Sequence, residues 1–501
     1  MHFGVSKISE LCNKKSKKMT KEQVIELFQR AGENISDNFK GDNRMLEIQK
    51  VYFIGIGGIG MSALARYFNA KGFDVCGYDR TETALTQNLV LEGINVHYND
   101  DVDAIPLSYK SGKKNILVVY TPAVPQSHNE LQWFISQNYL VMKRSEVLGL
   151  VSKNKATIAV AGTHGKTSVS SMLAHLLTTA GIGCDAFLGG ISKNYKTNLL
   201  LSQGSKYLVA EADEYDRSFL HLHPHLALIT SMDADHLDVY GTHDDLKAEF
   251  AKFISQITPG GILLIKHGLP HETPNRVHTF TYSLNDRHAD FHAENLRLEE
   301  DGRYMFTFCA PHKTIHDVHT QAPGLLNVEN AVAAMAVAIM AGADAKKIIE
   351  AMASFKGVQR RFDFKIQKKN FVYIDDYAHH PEELKYAISS VRELFPGKHI
   401  TGVFQPHLYT RTRDFAEEFA KSLDLLDALI MLDIYPAREI PIEEVTSKII
   451  FEKVNIENKI LCKKTDVVNE LKNRKMDVLI TLGAGDIDTL VERIEKKFKK
   501  N

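Results

Sequence analysis

Short, nearly continuous apolar runs recur along this chain, each followed by a longer segment in which apolar positions repeat every three or four residues. Runs of this kind, apolar on both faces, are the mark of parallel strands covered by helices on each side. The first series has strands at 50–54, 73–78, 95–98, 115–120 and 139–142, with a helix over 61–70. The second has strands at 157–161, 207–210 and 226–231 and a helix over 168–180. Short alternating segments then fill 276–308, and a helix follows over 324–341. The third has strands at 371–374, 399–404, 428–432, 459–462 and 478–482, with helices over 382–395 and 412–423. The pattern predicts an α/β protein of three domains: a Rossmann-like unit at 48–149, a central P-loop unit at 150–358 and a second Rossmann-like unit at 359–501. Residues 1–47 read as a polar extension in which 20–31 can form one amphipathic helix.

Two glycine loops stand where a strand hands over to a helix. Gly55, Gly57 and Gly60, with Gly58 between them, fit G-x-G-x-x-G, and Asp79 ends the next strand where a ribose-binding carboxylate would sit. That loop by itself asks for a pyrophosphate-bearing nucleotide, with NAD as the default. The second loop is Gly162-Thr163-His164-Gly165-Lys166-Thr167-Ser168. Its backbone N–H groups and the helix N-terminus would cradle phosphates, Lys166 would reach the terminal ones, and the Thr167 hydroxyl would serve Mg²⁺. The general P-loop pattern wants a glycine five residues before Gly165, where this chain has Val160.

The strand ends that follow are rich in acids: Glu211-Ala212-Asp213-Glu214 after one, Asp233-Ala234-Asp235-His236 after the next. Open α/β sheets bind ligands at the carboxyl ends of their strands, so these clusters should converge beside the second loop, placed to hold a divalent cation. Asn327 and Asn330 lie three apart, on one face near the start of their helix; Asn327 could equally be its N-cap. In the third series the strand ends carry Asp375-Asp376-Tyr377-Ala378-His379-His380-Pro381 and Gln405-Pro406-His407-Leu408-Tyr409-Thr410-Arg411-Thr412-Arg413. Histidines and arginines gathered this way suit carboxylate recognition.

Composition adds mainly exclusions. The formal net charge is −1, so bulk electrostatics favour neither nucleic acid nor a membrane surface. The five cysteines are scattered with no CxxC pair, which fits a reducing cytoplasm and suggests no disulfide framework or zinc site. No apolar run is long enough to span a bilayer, and the first residues make a poor secretion signal.

The motifs together resemble the Mur ligases of peptidoglycan synthesis: Gly-Thr-His-Gly-Lys-Thr at 162–167, a Glu-Ala-Asp-Glu and an Ala-Asp-His-Leu-Asp strand end, and Asn-x-x-Asn at 327–330. The shortened loop is how that family's P-loop reads, and the resemblance runs in order from about Val51 to the end. Gly-Ile-Gly-Gly-Ile-Gly-Met, Asp-Asp-Tyr-Ala-His-His-Pro and Gln-Pro-His-x-Tyr-Thr-Arg-Thr-Arg narrow it to the member that adds the first amino acid. The resemblance implies a three-domain Mur ligase architecture and an ATP-dependent reaction joining L-alanine to UDP-N-acetylmuramate through an acyl phosphate, with Mg²⁺ or Mn²⁺. It reassigns the first loop from NAD to the UDP-sugar, held by Gly55, Gly57, Gly58, Gly60, Asp79 and Thr121. ATP falls to Gly162 through Ser168, with Asn327, Asn330, Arg361 and Asp376. Lys166, His236 and Arg361 become the catalytic set, and Thr167, Glu211 and His236 the metal ligands. Tyr377, His379, Arg411 and Arg413 become the amino-acid pocket. It implies no nucleic acid and no membrane, and a monomer or weak homodimer.

Leu408 stands where some relatives carry an arginine, so that one alanine-carboxylate contact is missing or moved to Arg413. Several relatives carry a carbamylated lysine bridging the metals; Lys252 is near in sequence but out of register. Three other readings stay open. A recycling ligase would join a whole peptide to the same UDP-sugar, a nicotinamide-dependent dehydrogenase would use the first loop alone, and a nucleotide-sensing module would not catalyse.

Overall fold

The computed structural model describes residues 47–499 apart from 154, 300, 301, 322, 438 and 475, so the helix expected over 20–31 lies outside the described residues. The described residues build three sheets. In the first, β1 (Lys50–Ile54), β2 (Asp74–Tyr78), β3 (Asn95–His97), β4 (Ile116–Tyr120) and β5 (Leu140–Lys143) run parallel in the order β3-β2-β1-β4-β5. The central β1 is buried over Val51–Ile54, as a strand covered on both faces must be. Helix α1 (Ile59–Ala70) starts inside the glycine loop, two residues before the periodicity placed it.

The second sheet has ten strands, in the order β15-β14-β13-β12-β11-β10-β6-β9-β7-β8. Its parallel core is β6 (Ala156–Ala161), flanked by β9 (Tyr207–Ala212) and by β10 (Leu226–Ile229), then β11 (Ile262–Lys266) and β12 (His278–Ser283). The short β7 (Asp185–Phe187) and β8 (Leu199–Leu200) close one side. An antiparallel extension, β13 (Phe291–Leu298), β14 (Tyr304–Ala310) and β15 (Lys313–His319), closes the other, and the alternating segments over 276–308 are strands as expected. Helices α2 (Lys166–Thr179) and α3 (Leu325–Met340) pack on this sheet, and Leu173, Leu176, Val332 and Met335 lie in its largest apolar cluster.

The third sheet, β16-β17-β21-β18-β19-β20, comprises β16 (Asp363–Lys368), β17 (Phe371–Asp376), β18 (Ile400–Phe404), β19 (Ala428–Met431), β20 (Lys459–Leu461) and β21 (Val478–Leu482). It is parallel except for the β16 hairpin. Helix α4 (Pro381–Leu394) follows β17. The single helix expected over 412–423 is two, α5 (Tyr409–Asp414) and α6 (Ala416–Leu423). Phe415 leaves the helical region at φ −121° and ψ 24°, with its ring 5.1 Å from that of His380.

Candidate active site

The second glycine loop leaves β6 with Gly162 at φ 129° and enters α2 through Gly165 at φ 85°, both in the left-handed half of backbone space that favours glycine. A Cβ at Gly162 would lie 2.2 Å from Thr230 Oγ1 and 2.7 Å from Ser231 N, so the close approach of the β10 strand end also demands glycine. That strand end pins the loop. Ser231 Oγ accepts from His164 N at 2.8 Å and meets Thr163 Oγ1 at 2.9 Å, and Thr163 Oγ1 accepts from Asp233 N at 3.1 Å. Because α2 begins at Lys166, the Lys166 and Thr167 side chains both spring from its first turn.

What meets them is acidic. Lys166 Nζ donates to both carboxylate oxygens of Glu214, at 2.9 and 2.7 Å, and to Gly162 O at 2.8 Å. Glu214 is completely buried. Burial opposes the Lys166 ammonium, but Glu214, Asp213 and Glu211 outweigh it and hold its pKa above the ordinary lysine range. Thr167 Oγ1 donates to Glu211 Oε2 at 2.9 Å, and burial raises the Glu211 carboxyl. His236, itself at φ 54°, sits with Nε2 3.6 Å from Glu214 Oε1 and 3.7 Å from Asp235 Oδ2. Its buried Nδ1 has no hydrogen-bond partner. Lys166, Thr167, Glu211 and His236 are thus brought together, with Glu214 at their centre. A crowd of buried carboxylates and an unpartnered imidazole nitrogen fits a divalent cation, whose charge would relieve the repulsion among the acids.

A cleft of about 1120 Å³ opens beside the loop, between the second and third sheets. His164, Ser168, Asn327, Asn330, Arg361 and Asp376 all line it. The N-cap of α3 is Gly324, at φ 90°, so Asn327 is not the cap; its Nδ2 donates to Pro323 O at 2.6 Å. Asn330 Oδ1 would lie 3.0 Å from a Cβ on Gly165. Asp376, at the end of β17, accepts from Phe362 N at 2.6 Å and Ala378 N at 2.7 Å, and burial pushes its carboxyl up to about 6. Arg361 lies 4.8 Å over the Tyr377 ring.

The third sheet also supplies the aromatic and basic side chains. Tyr377 and His379 meet edge to face at 5.2 Å, and His379 reaches His407 at 5.6 Å. Arg411 crosses to the central sheet, where its Nη2 donates to Asp235 Oδ1 at 2.6 Å, both side chains nearly fully buried. Burial alone would raise the Asp235 carboxyl; Arg411, with His236 behind it, drives it well below the usual carboxylate range. Arg411 Nη1 is buried without a partner. Arg413 is not brought to this group. Two helical positions from Arg411, it points the other way, 53% exposed and bonded to Asp414 at 2.7 Å. Leu408 is buried at φ 71° and caps α5. Lys252 is an exposed side chain paired with Glu249.

The first loop is built otherwise. Gly55 turns at φ 87°, and a Cβ there would lie 2.9 Å from Thr121 Cγ2. Asp79 Oδ2 accepts from Gly57 N at 2.8 Å and Oδ1 from Thr81 N at 3.1 Å, so this carboxylate braces the loop's own backbone. Gly58, Gly60 and Thr121 line a second cavity of about 750 Å³ whose far wall carries Glu211 and Asp213. Arg144 spans it, with Nη2 3.8 Å from Asp213.

Glu214, Asp235 and Glu383 are the residues that motif reasoning underweighted. Glu383 accepts from the backbone N–H groups of His379 and His380, lies 3.4 Å from His164 Nδ1 and 4.0 Å from Arg361, and so ties the third sheet to the second loop. Its signal was in the sequence: Pro381 opens α4 and Glu383 occupies the capping-box position. The Asp235–Arg411 pair, 176 residues apart, carries no local signal.

Three family models match in sequence: "Mur ligase family, catalytic domain" over 50–156, "Mur ligase middle domain" over 160–338 and "Mur ligase, glutamate ligase domain" over 360–495. The UDP-N-acetylmuramate–L-alanine ligase of Porphyromonas gingivalis is 51% identical over 447 residues, 89% of this chain and 98% of that protein. The enzyme of the same name from Parabacteroides distasonis is 52% identical over 453 residues, 90% and 97%. Among solved structures, the UDP-N-acetylmuramate–alanine ligase of Thermotoga maritima superposes with a TM-score of 0.75 at 26% identity, covering 90% of this chain and 99% of that one. A murein peptide ligase from Psychrobacter arcticus shares the fold, with a TM-score of 0.66 at 20% identity over 89% and 98%.

Proposed function

The chain belongs to the Mur ligase family, and from that premise we propose how its residues carry out the joining of L-alanine to UDP-N-acetylmuramate at the expense of ATP. The observation that carries the reading is the meeting of Lys166, Thr167, Glu211, Glu214 and His236 at the mouth of the second loop, with side chains of the third sheet facing them. Near-50% identity to alanine-adding ligases over nine-tenths of the chain favours free L-alanine over a tripeptide; the recycling enzyme is similar in fold alone.

In this reading the unit at 48–149 holds the UDP moiety on Gly55, Gly57, Gly58 and Gly60, with Thr121 beside them and Asp79 keeping the loop in shape. The sugar's carboxylate reaches across the second cavity toward Glu211 and Asp213. The unit at 150–358 holds the ATP phosphates on the N–H groups of Gly162–Ser168. The nucleoside lies in the cleft by Asn327 and Asn330, with Asp376 of the unit at 359–501 accepting from the ribose. Attack of a carboxylate on the γ-phosphate brings two anions together, and Lys166 lowers that barrier by exchanging part of its bond to Glu214 for a phosphate oxygen. A Mg²⁺ or Mn²⁺ ion held by Thr167, Glu211 and His236 supplies further screening of charge when bound. Arg361 approaches the phosphates from the domain junction. The free nitrogen of the Arg411 fork takes the alanine carboxylate, with Tyr377 and His379 walling the pocket. The sugar's carboxylate takes the γ-phosphoryl group as ADP leaves; the uncharged amine then attacks the acyl phosphate, phosphate leaves, the nitrogen gives up a proton and an amide remains. No helix among the described residues is long and apolar enough to cross a membrane, and the proposed place of work is the cytoplasm.

The test is phosphate release with ATP, Mg²⁺ and UDP-N-acetylmuramate, comparing L-alanine with the L-Ala-γ-D-Glu-diaminopimelate tripeptide. Release with free alanine, lost in Lys166→Ala, is the expected result. Release with the tripeptide alone would turn the assignment to recycling, and release with neither would sink the reaction.

A further inference from the structure

We infer that His292, Glu294 and Cys309, on the outer face of the central sheet's antiparallel extension, form a binding site for a late first-row divalent metal ion of the zinc type. One ligand atom from each lies within 4.8 Å of the others, and among the described residues this is the one such trio of histidine, cysteine and carboxylate side chains. The strand register makes the grouping. His292 and Cys309 stand directly opposite across the β13–β14 pair, and Glu294, two residues from His292, shares its face. The alternate residues Phe291, Ala293 and Phe308 enter the apolar core, so the trio is held from behind by packed side chains. The β13–β14 pair carries a register shift beside it, on β13 between Glu294 and Arg297. Irregularities of this kind re-aim side chains and gather at functional positions.

The histidine is oriented as metal-binding histidines are. His292 Nδ1 lies 3.2 Å from Ala289 O, to which it can only donate, so Nε2 carries the lone pair; it faces Glu294 Oε1 at 3.6 Å. A thiol, an imidazole and a carboxylate select zinc and its neighbours over Mg²⁺ or Ca²⁺, which prefer all-oxygen shells. Three protein ligands leave a fourth position for water. The group already at the site is Arg287, whose Nε lies 2.8 Å from Glu294 Oε1; its side chain is 77% exposed and free to turn into solvent. None of the three ligands lines the nucleotide cleft or the second cavity, so this site is separate from the cation position at Thr167 and Glu211. Metal binding there would lock β13 to β14 by a cross-strand clip.

The test uses the full chain, stripped with a chelator, kept reduced with a non-chelating phosphine and titrated with Co²⁺. The expected result is a thiolate-to-cobalt charge-transfer band that saturates at one equivalent, is displaced by Zn²⁺ and ignores excess Mg²⁺. Cys309→Ser should abolish the band and Glu294→Gln should weaken binding, while ATP- and alanine-dependent phosphate release, which uses neither residue, stays unchanged and reports an intact fold. Zn²⁺ should raise Tm in the parent protein and not in Cys309→Ser. Absence of the band in the parent, or a band or Tm rise that persists in Cys309→Ser, would overturn the proposal.

Discussion

The two glycine loops begin alike and end differently. Each follows a buried parallel strand, turns through a glycine at positive φ and opens a helix. Around the first, the nearest carboxylate is spent on the loop's own N–H groups: Asp79 braces Gly57 and Thr81. Around the second, the carboxylates gather on a side chain instead: Glu214 clasps the Lys166 ammonium while Glu211 takes the Thr167 hydroxyl. Glycine spacing therefore reports where a backbone can approach a phosphate. Whether chemistry happens there is decided by the side chains that open the helix and by what neighbouring strands aim at them.

Lys166→Ala should separate the two loops most sharply. Loss of the Lys166 ammonium should cut phosphate release by about 10³-fold, while calorimetric affinity for the UDP-sugar, which we assign to the first loop, stays within about twofold of the parent. An equal fall in UDP-sugar affinity would mean that the loops act as one site.

A second test concerns the reach of the third sheet. Asp235 and Arg411 are both nearly fully buried, and removing one partner leaves the other's charge unpaired. Asp235→Ala should destabilise the protein by about 3 kcal/mol in denaturant unfolding and also raise the KM for L-alanine, because Arg411 loses the anchor that holds its fork. Since the Asp235 carboxyl is depressed in the folded state, its stabilising contribution is present above the unfolded value near pH 4 and is lost as pH falls below it. The parent should therefore lose stability on acidification below about pH 4 more steeply than the variant. Unchanged alanine kinetics would make the pair a purely structural tie.

The first loop can be probed by filling it. A Cβ on Gly57 would lie 2.7 Å from Thr86 Cγ2 and 2.8 Å from Asp79 Oδ2. Gly57→Ala should cost about 2 kcal/mol of stability and raise the KM for the UDP-sugar, with kcat at saturation little altered. A fall in kcat without a change in KM would move the first loop into the chemistry.

Much of this arrangement is legible in residue order, for a physical reason. Parallel strands buried on both faces write themselves as apolar runs, and positive-φ turns write themselves as glycine, so β1, β6 and β17 and both loops can be read directly. The meeting point of Lys166, Glu211 and Glu214 cannot. Glu214 sits two residues past the end of β9, where Asp216 and Arg217 both adopt positive φ. Nothing in Glu-Ala-Asp-Glu says which acid the reversal turns toward Lys166. Arg413 misled because a doubled arginine motif says nothing of which helical face each residue takes. The Asp235–Arg411 contact depends on how two sheets dock, which no local pattern encodes.

The smallest expected effect lies beneath the first loop. Glu130 is completely buried under β1, accepting from Tyr52 Oη at 2.7 Å, with His97 Nε2 3.4 Å away. Burial is the main cause that pushes its carboxyl up to about 8. A carboxyl raised on folding binds its proton more tightly in the native state, so its stabilising contribution is fully present below the unfolded value near pH 4.5 and lost as pH rises toward about 8. At the second loop burial also raises the Glu211 and Glu214 carboxyls, but there the Lys166 ammonium opposes it. Thermal unfolding should therefore show Tm declining between about pH 5 and 8 in the parent. Glu130→Gln, which keeps an oxygen for Tyr52 but cannot ionise, should flatten that decline while leaving phosphate release at pH 7 nearly unaltered. An equally steep decline in the variant would place the ionisation elsewhere and remove this contrast between the two loops: one rests on a buried acid paired with a tyrosine, the other on buried acids paired with a lysine.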